Sequence, residues 1–340
     1  MPDLDAFICT LNGQKSNYIP TWAMRQAGRI LPSYQKLRKK IGDFKTLVTN
    51  PQLAAEVTLQ PIEYLDVDAL IIFSDILVIP EAMGCPYTMQ VGKGPAFNKP
   101  IRSKKDVDSL SIENISEKLT YVSKAIQMTK AASNKPLIGF AGAPWTVFAF
   151  MVEGQSNKTF AKARQFLYAE PQTSLRLLKK ITNATIQYLN AQIQAGADAI
   201  QLFDTAAGLL SPEYYNIYSI PLLKDILNAI KPTPTIVFAK DAHFSLNNIA
   251  KLPTNACSVD WGMDIDYAKK ILGKHNKALQ GTWDPAFLYA NPSEIKKITR
   301  RVLDKIHPFR HIANLGHGVY PDMKYKHLQT WINEVHNYKI

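Results

Sequence analysis

Cysteine is scarce. The 340 residues include three, Cys9, Cys85 and Cys257, far apart and in no C-x-x-C arrangement, which argues against a disulfide framework or a structural zinc site and suits a reducing cytoplasm. No H-E-x-x-H or comparable His/Cys ligand spacing occurs, so no metal is expected. The G-x-G-x-x-G and G-x-x-x-x-G-K-[ST] signatures are missing too, which removes the main nucleotide-cofactor signals. Apolar runs such as Ala69 to Phe73 are much too short to span a bilayer. The N-terminus, with Asp3 and Asp5, lacks the apolar core of a secretory signal. Low-complexity tracts and fixed-period repeats are absent. The expectation is a soluble, cytoplasmic protein of one domain, residues 1–340, with no cofactor, no metal and no membrane partner.

Positive charge is plentiful. Forty Lys and Arg against 28 Asp and Glu give a formal charge of +12, and such a surface concentrates anions without choosing among them. Nucleic acid and a polyanionic metabolite both fit the sign. The basic residues are spread out, with only short clusters such as Lys36, Arg38, Lys39 and Lys40, so no nucleic-acid stripe is evident. A small anionic ligand is the better expectation.

Short apolar, β-rich runs recur at Tyr18–Met24, Val67–Phe73, Pro136–Ala141, Ala197–Phe203, Thr235–Ala239, Ala256–Trp261, Ala278–Gly281 and His311–Leu315. Helical spacing lies between them, for instance at Pro51–Tyr64, Glu117–Ala132, Pro212–Ile230, Tyr267–Leu272, Pro292–Ile306 and Met323–Val335. In Pro171–Ala195 the residues Leu178, Ile181, Thr185, Leu189 and Ile193 repeat at three- and four-residue steps before Gly196, where a C-cap glycine belongs. Alternation of this kind predicts parallel strands with crossover helices, and eight units predict a closed (β/α)8 barrel. Two segments stand apart: Cys85 to Pro100 reads as a hairpin inserted after strand two, turning around Gly92 to Gly94, and the polar Gln155 to Glu170 reads as a mobile flap over the barrel mouth.

In such a barrel the strand C-terminal ends form the site. The first delivers Arg25 and Arg29, four positions apart, whose planar forks suit carboxylate or phosphate. The second delivers Asp75, set between Leu70–Phe73 and Ile76–Ile79, where an unpaired carboxylate is costly to bury. An arginine partner compensates it in one reading; in the other, Ser74 or Asp75 is a helix N-cap. Asp204 and Thr205 follow strand four, as site residues or as a cap pair before Pro212. His317 lies between Gly316 and Gly318, which leave room for a ligand, whereas His243 reads as structural.

Two long segments, Pro20-Thr21-Trp22-Ala23-Met24-Arg25-Gln26-Ala27-Gly28-Arg29 and Gly139-Phe140-Ala141-Gly142-Ala143-Pro144-Trp145-Thr146, resemble signatures of the uroporphyrinogen decarboxylase family. Ile72–Asp75, Gln280-Gly281 with Asp284-Pro285, and Asn314–Gly318 with Tyr320-Pro321-Asp322 are similar to further family segments. The resemblance implies a cofactor-free barrel carboxy-lyase, commonly a homodimer. It converts the four acetate side chains of uroporphyrinogen III, in haem and tetrapyrrole biosynthesis, to methyl groups, giving coproporphyrinogen III. It also implies that Asp75 sits at the macrocycle centre, that Arg25 and Arg29 hold carboxylates, Arg25 taking part in proton relay, and that His317 binds another carboxylate, with Phe150 and Thr205 completing the substrate site. At Phe150 many relatives carry tyrosine, and phenylalanine has no hydroxyl to donate. The alternatives are a methyltransferase of the corrinoid-dependent or methionine-synthase type on the same barrel, or a noncatalytic tetrapyrrole or nucleic-acid binder.

Overall fold

The computed structural model describes residues 5–90, 92 and 94–339. Strands β1 (Leu70–Ile71), β4 (Leu137–Gly142), β5 (Ala199–Asp204), β6 (Thr235–Ala239), β7 (Ala256–Ser258), β8 (Ala278–Trp283) and β9 (His311–Leu315) form one sheet in that order. Every neighbouring pair is parallel. The expected first strand, Tyr18 to Met24, is reduced to a single parallel bridge, Thr21 to Ala313. That bridge still closes the barrel. Trp22 N–H donates to Ala313 C=O (3.3 Å), Ala313 N–H to Pro20 C=O (2.8 Å), and on the other side Asp68 N–H to Thr21 C=O (2.7 Å).

One carboxylate fastens the seam. Asp68 Oδ2 accepts from the Thr21 N–H at 2.6 Å and pairs with His336 Nε2 at 2.8 Å, while Oδ1 accepts from the Tyr18 hydroxyl at 2.9 Å. Burial alone pushes the Asp68 carboxyl up, but His336, Thr21 and Tyr18 together hold it below its ordinary value. Burial likewise pulls the His336 imidazole down, and the bond to Asp68 with the charges of Asp68 and Asp66 outweighs it.

The apolar residues divide into two layers. Inside the barrel Ala69, Ile138, Ala199, Ile236, Ala256, Ala278 and Ile312 meet Trp22, and Phe7 and Leu11 of the helix Ala6–Leu11 pack against them. This is a filled core, as small barrels require. The second layer lies between sheet and helices and takes in Leu177, Leu178, Ile181 and Leu189, the inner stripe of the helix Pro171–Gln194. Gly196 follows at φ +111°, a conformation that glycine tolerates and L side chains resist.

The insertion after the second strand unit is an antiparallel hairpin of β2 (Tyr87–Gln90) and β3 (Gly94–Phe97); within the expected turn and insertion, Val91 and Lys93 lie outside the described residues. The hairpin is tied to the barrel by Phe97 N–H to Gly154 C=O (2.7 Å) and an Ala96–Gln155 bridge. The expected flap is structured differently. Ala161–Ala169 is a helix whose first N–H groups are taken by Glu153 Oε2, from Lys162 at 3.0 Å and Ala163 at 3.3 Å. Its polarity resembled loop because the capping carboxylate sits outside it in sequence.

Replacing Asp68 with asparagine removes the charge that holds both Thr21 and His336. We expect a loss of roughly 3 kcal/mol in chemical denaturation, the scale of breaking a buried pair. His336, raised in the folded state, contributes fully below about pH 6.5 and loses its contribution as pH rises through its folded value. Asp68, lowered, contributes above about pH 4 and fails as pH falls through its folded value. The stability gap between wild type and Asp68→Asn is therefore widest between those limits and narrows on the alkaline side.

Candidate active site

Four of the residues singled out by sequence meet at the C-terminal end of the barrel. Arg25 stands at φ +65°, an uncommon backbone for a non-glycine residue. Its neighbours hold it there: buried Gln26 accepts from Ala23 N–H at 2.9 Å through Oε1 and donates Nε2–H to Ala69 C=O at 3.0 Å. Met24 N–H is taken by Asn314 Oδ1 at 3.2 Å, and Val319 N–H donates to Met24 C=O at 3.1 Å. The loop is thus anchored on both flanking strands while Arg25 and Arg29 keep exposed surface.

The expected Arg–Asp75 ion pair does not form. Among the described residues neither Arg25 nor Arg29 has a carboxylate within 4.0 Å, and half-buried Asp75 is held instead by Leu77 N–H (3.1 Å, to Oδ1) and the Tyr87 hydroxyl (2.9 Å, to Oδ2). The backbone bond keeps part of the local-turn reading, although the N-cap of the following helix is Leu77 rather than Ser74 or Asp75. Burial pushes the Asp75 carboxyl above its ordinary value; the bonds from Leu77 and Tyr87 work against it, and Glu81 adds to it. Arg25 nevertheless feels the charge of Asp75. Desolvation, then the like charge of Arg29, lower its guanidinium from the ordinary value while Asp75 partly restores it; an arginine stays cationic at neutral pH throughout.

His317 completes the group. Its Nδ1 accepts from the Gly318 N–H at 2.7 Å, and its ring meets Phe238 edge-on at 6.2 Å. Desolvation, helped by the charges of Arg25 and Lys240, pulls the imidazole down to about 4. The neutral ring therefore carries its proton on Nε2, and it offers a donor rather than a charge. The flanking glycines serve a different purpose from the one expected: a Cβ on Gly318 would lie 2.6 Å from Arg25 Cγ, and one on Gly316 would lie 2.8 Å from Trp261 N. They make room for the arginine stem and for the Trp261 backbone.

Phe150 and Thr205 come from the segments that follow β4 and β5. Phe150, in the helix Pro144–Glu153, packs its ring on Phe160 at 5.0 Å and lines a cavity of about 360 Å³ with Ser156, Asn157 and Lys158. Thr205 directly follows β5, half-buried, and its hydroxyl makes no hydrogen bond among the described residues. Asp204 is structural. Fully buried, it accepts hydroxyl protons from Thr146 (2.6 Å), Tyr215 (3.0 Å) and Ser219 (2.9 Å). His243 is also committed, with Nε2 2.8 Å from buried Asp260. Among the described residues no three His, Cys, Asp or Glu side chains group closely enough to ligate a metal.

Sequence reasoning missed Tyr87. Nothing local marks it, because it belongs to the inserted hairpin and reaches Asp75 only when that hairpin folds back over the strand end.

Fold and mouth together define a (β/α)8-barrel protein with two arginines that, among the described residues, have no carboxylate partner, beside half-buried Asp75. Residues 3–338 match the family model described as Uroporphyrinogen decarboxylase (URO-D). The chain is 42% identical to uroporphyrinogen decarboxylase of Homo sapiens, over 98% of this chain and 94% of that protein. It is 44% identical to the enzyme of that name from Pelodictyon phaeoclathratiforme, over 97% of each chain. This chain belongs to the uroporphyrinogen decarboxylase family. A methyltransferase from Methanosarcina mazei superposes with a TM-score of 0.82 at 19% identity over 97% of each chain, a likeness of fold alone.

The tautomer of His317 is directly measurable. In nitrogen-15 spectra of the substrate-free protein we expect an Nε2–H imidazole that does not titrate between pH 6 and pH 8; a midpoint inside that range contradicts the half-buried, neutral ring.

Proposed function

We propose that this chain is a cofactor-independent carboxy-lyase that converts the four acetate side chains of uroporphyrinogen III to methyl groups, releasing four CO2 and coproporphyrinogen III. Family membership along nearly the whole chain supports the reaction. The observation that carries the site assignment is the mouth itself. Two guanidinium groups that have no carboxylate partner among the described residues stand beside Asp75, and their mutual repulsion is relieved by a polyanion.

In this reading Arg25 and Arg29 hold substrate carboxylates in two-pronged contacts, and His317 donates Nε2–H to another. Phe150 and Thr205 border the macrocycle, Phe150 by apolar contact and Thr205 by its free hydroxyl. Asp75 accepts hydrogen bonds from the pyrrole N–H groups at the centre. Protonation of the α ring carbon next to the one that bears the acetate gives a cation conjugated to the ring nitrogen, and that ring takes up the electron pair of the breaking C–C bond as CO2 leaves, forming an exocyclic methylene. Protonation of the methylene and loss of the added ring proton give the methyl group and restore the pyrrole. The fixed negative charge of Asp75 stabilises the cation in a site already oriented for it. Residues 1–340 act as one catalytic unit. The same reading carries a homodimer in the cytoplasm, acting in haem and tetrapyrrole biosynthesis.

The decisive experiment is incubation with uroporphyrinogen III, followed by mass analysis. We expect stepwise loss of four CO2, at least a thousandfold slower in a folded Asp75→Ala variant, given the scale of losing a preorganised charge contact. Wild-type activity in that variant refutes the central role of Asp75. For Arg25→Ala and Arg29→Ala we expect KM to rise about tenfold each, with less dependence on salt than in wild type, because each removes a screened charge contact. Unchanged salt dependence contradicts direct carboxylate binding.

A further inference from the structure

Asp75 has one side-chain partner among the described residues, and it comes from the inserted hairpin. Tyr87 is 2% exposed. Its ring lies against Phe97 of the opposite hairpin strand, 5.9 Å between centroids. Lys45 Nζ sits 4.7 Å from the ring centroid and donates to the Tyr87 C=O at 3.0 Å, while also pairing with Glu81. Three contacts, one from Phe97 and two from Lys45, therefore set the position of one hydroxyl.

Resting on the proposed reaction, we propose that Tyr87 is a positioning residue for the decarboxylation, its hydroxyl holding the Asp75 carboxylate in one orientation so that the remaining lone pairs face the pyrrole N–H groups. An aspartate on a strand end has two free side-chain torsions, and the Leu77 N–H restrains only one oxygen. The Tyr87 bond fixes the other. It also favours the ionised form, since a donor to a carboxylate stabilises the anion. Tyrosine remains the donor because burial and the charge of Asp75 push its own phenol far up.

The other groups facing Asp75 are consistent with this division of labour. Glu81, from the helix Val78–Ala82, opposes ionisation, and Lys45 neutralises it. Arg25 approaches from the N-terminal loop and favours the anion. Tyr121 and Tyr188, from the helices Thr120–Ala132 and Pro171–Gln194, stay protonated, since burial raises both phenols. Lys45 thus acts twice: it cancels the opposing charge and, over the ring face, withdraws electron density and strengthens the phenol as a donor.

The test uses Tyr87→Phe, which keeps the ring and removes the hydroxyl, in protein labelled with carbon-13 at the aspartate carboxyl groups. The Asp75 resonance is assigned through Asp75→Asn. We expect the Asp75 titration midpoint to rise by about one pH unit, the tenfold change that losing one charge-assisted hydrogen bond gives. The acid limb of kcat/KM with uroporphyrinogen III should move by the same amount. A merely structural role would lower activity equally at all pH values and leave the midpoint in place, which overturns the proposal. Lys45→Met, which keeps the hydroxyl, should shift the midpoint in the same direction by less, and a wild-type midpoint in both variants also overturns it. The carboxyl titration decides the Tyr87–Asp75 coupling without turnover, so a wild-type protein inert toward uroporphyrinogen would refute the reaction and leave this measurement intact.

Discussion

The closure of the barrel at Thr21 is the constraint on which the rest depends. Seven strands pair along their lengths, but the circle is completed by one bridge and a few flanking backbone bonds. So short a seam has little ladder energy of its own. Asp68 supplies what the ladder lacks by binding Thr21 through both backbone and hydroxyl and by carrying His336 of the C-terminal helix to the same point. Because the seam lies a few residues before Arg25, whatever holds Thr21 also holds the arginine loop at the mouth.

The mouth itself runs against stability. Arg25 sits in an uncommon backbone conformation beside a like charge, Asp75 is pushed toward its protonated form by burial, and His317 is kept neutral. Below the mouth the barrel is filled, and part of its interior is cross-linked: Trp22 donates to Gln280 at 3.0 Å, and Gln280 donates to Gln201 at 2.9 Å and Ser258 at 3.0 Å. A barrel core this well occupied tolerates an unfavourable rim. A strained backbone and unpaired charge at a barrel mouth are a common mark of a functional site.

The fold was largely legible because alternation of apolar runs with helical spacing is a local signal. The eight runs became seven strands and one bridge, and helices appeared in each of the seven segments expected to form them. The errors share one cause. Asp204 looked like Thr205, a polar residue at a strand end, yet three hydroxyls from other segments claim its carboxylate. Segment 155–170 reads as a polar flap, and the helix within it has its first N–H groups taken by Glu153, which precedes it. In both, the deciding partner lies outside the window in which the residue is read.

The sequence by itself determined the barrel class, the positions of Arg25, Arg29, Asp75 and His317 near strand ends, and the family. Periodicity and motif order are properties of neighbouring residues and survive without coordinates. Only the tertiary structure decided how those residues are held. Asp75 is held by Tyr87 rather than by an arginine, both arginines lack a carboxylate partner among the described residues, His317 bonds its own following backbone, and Gly318 makes space for Arg25. Each is a pairing between segments whose separation in sequence carries no local trace, and a buried polar group takes whichever partner the folded chain brings within about 3 Å.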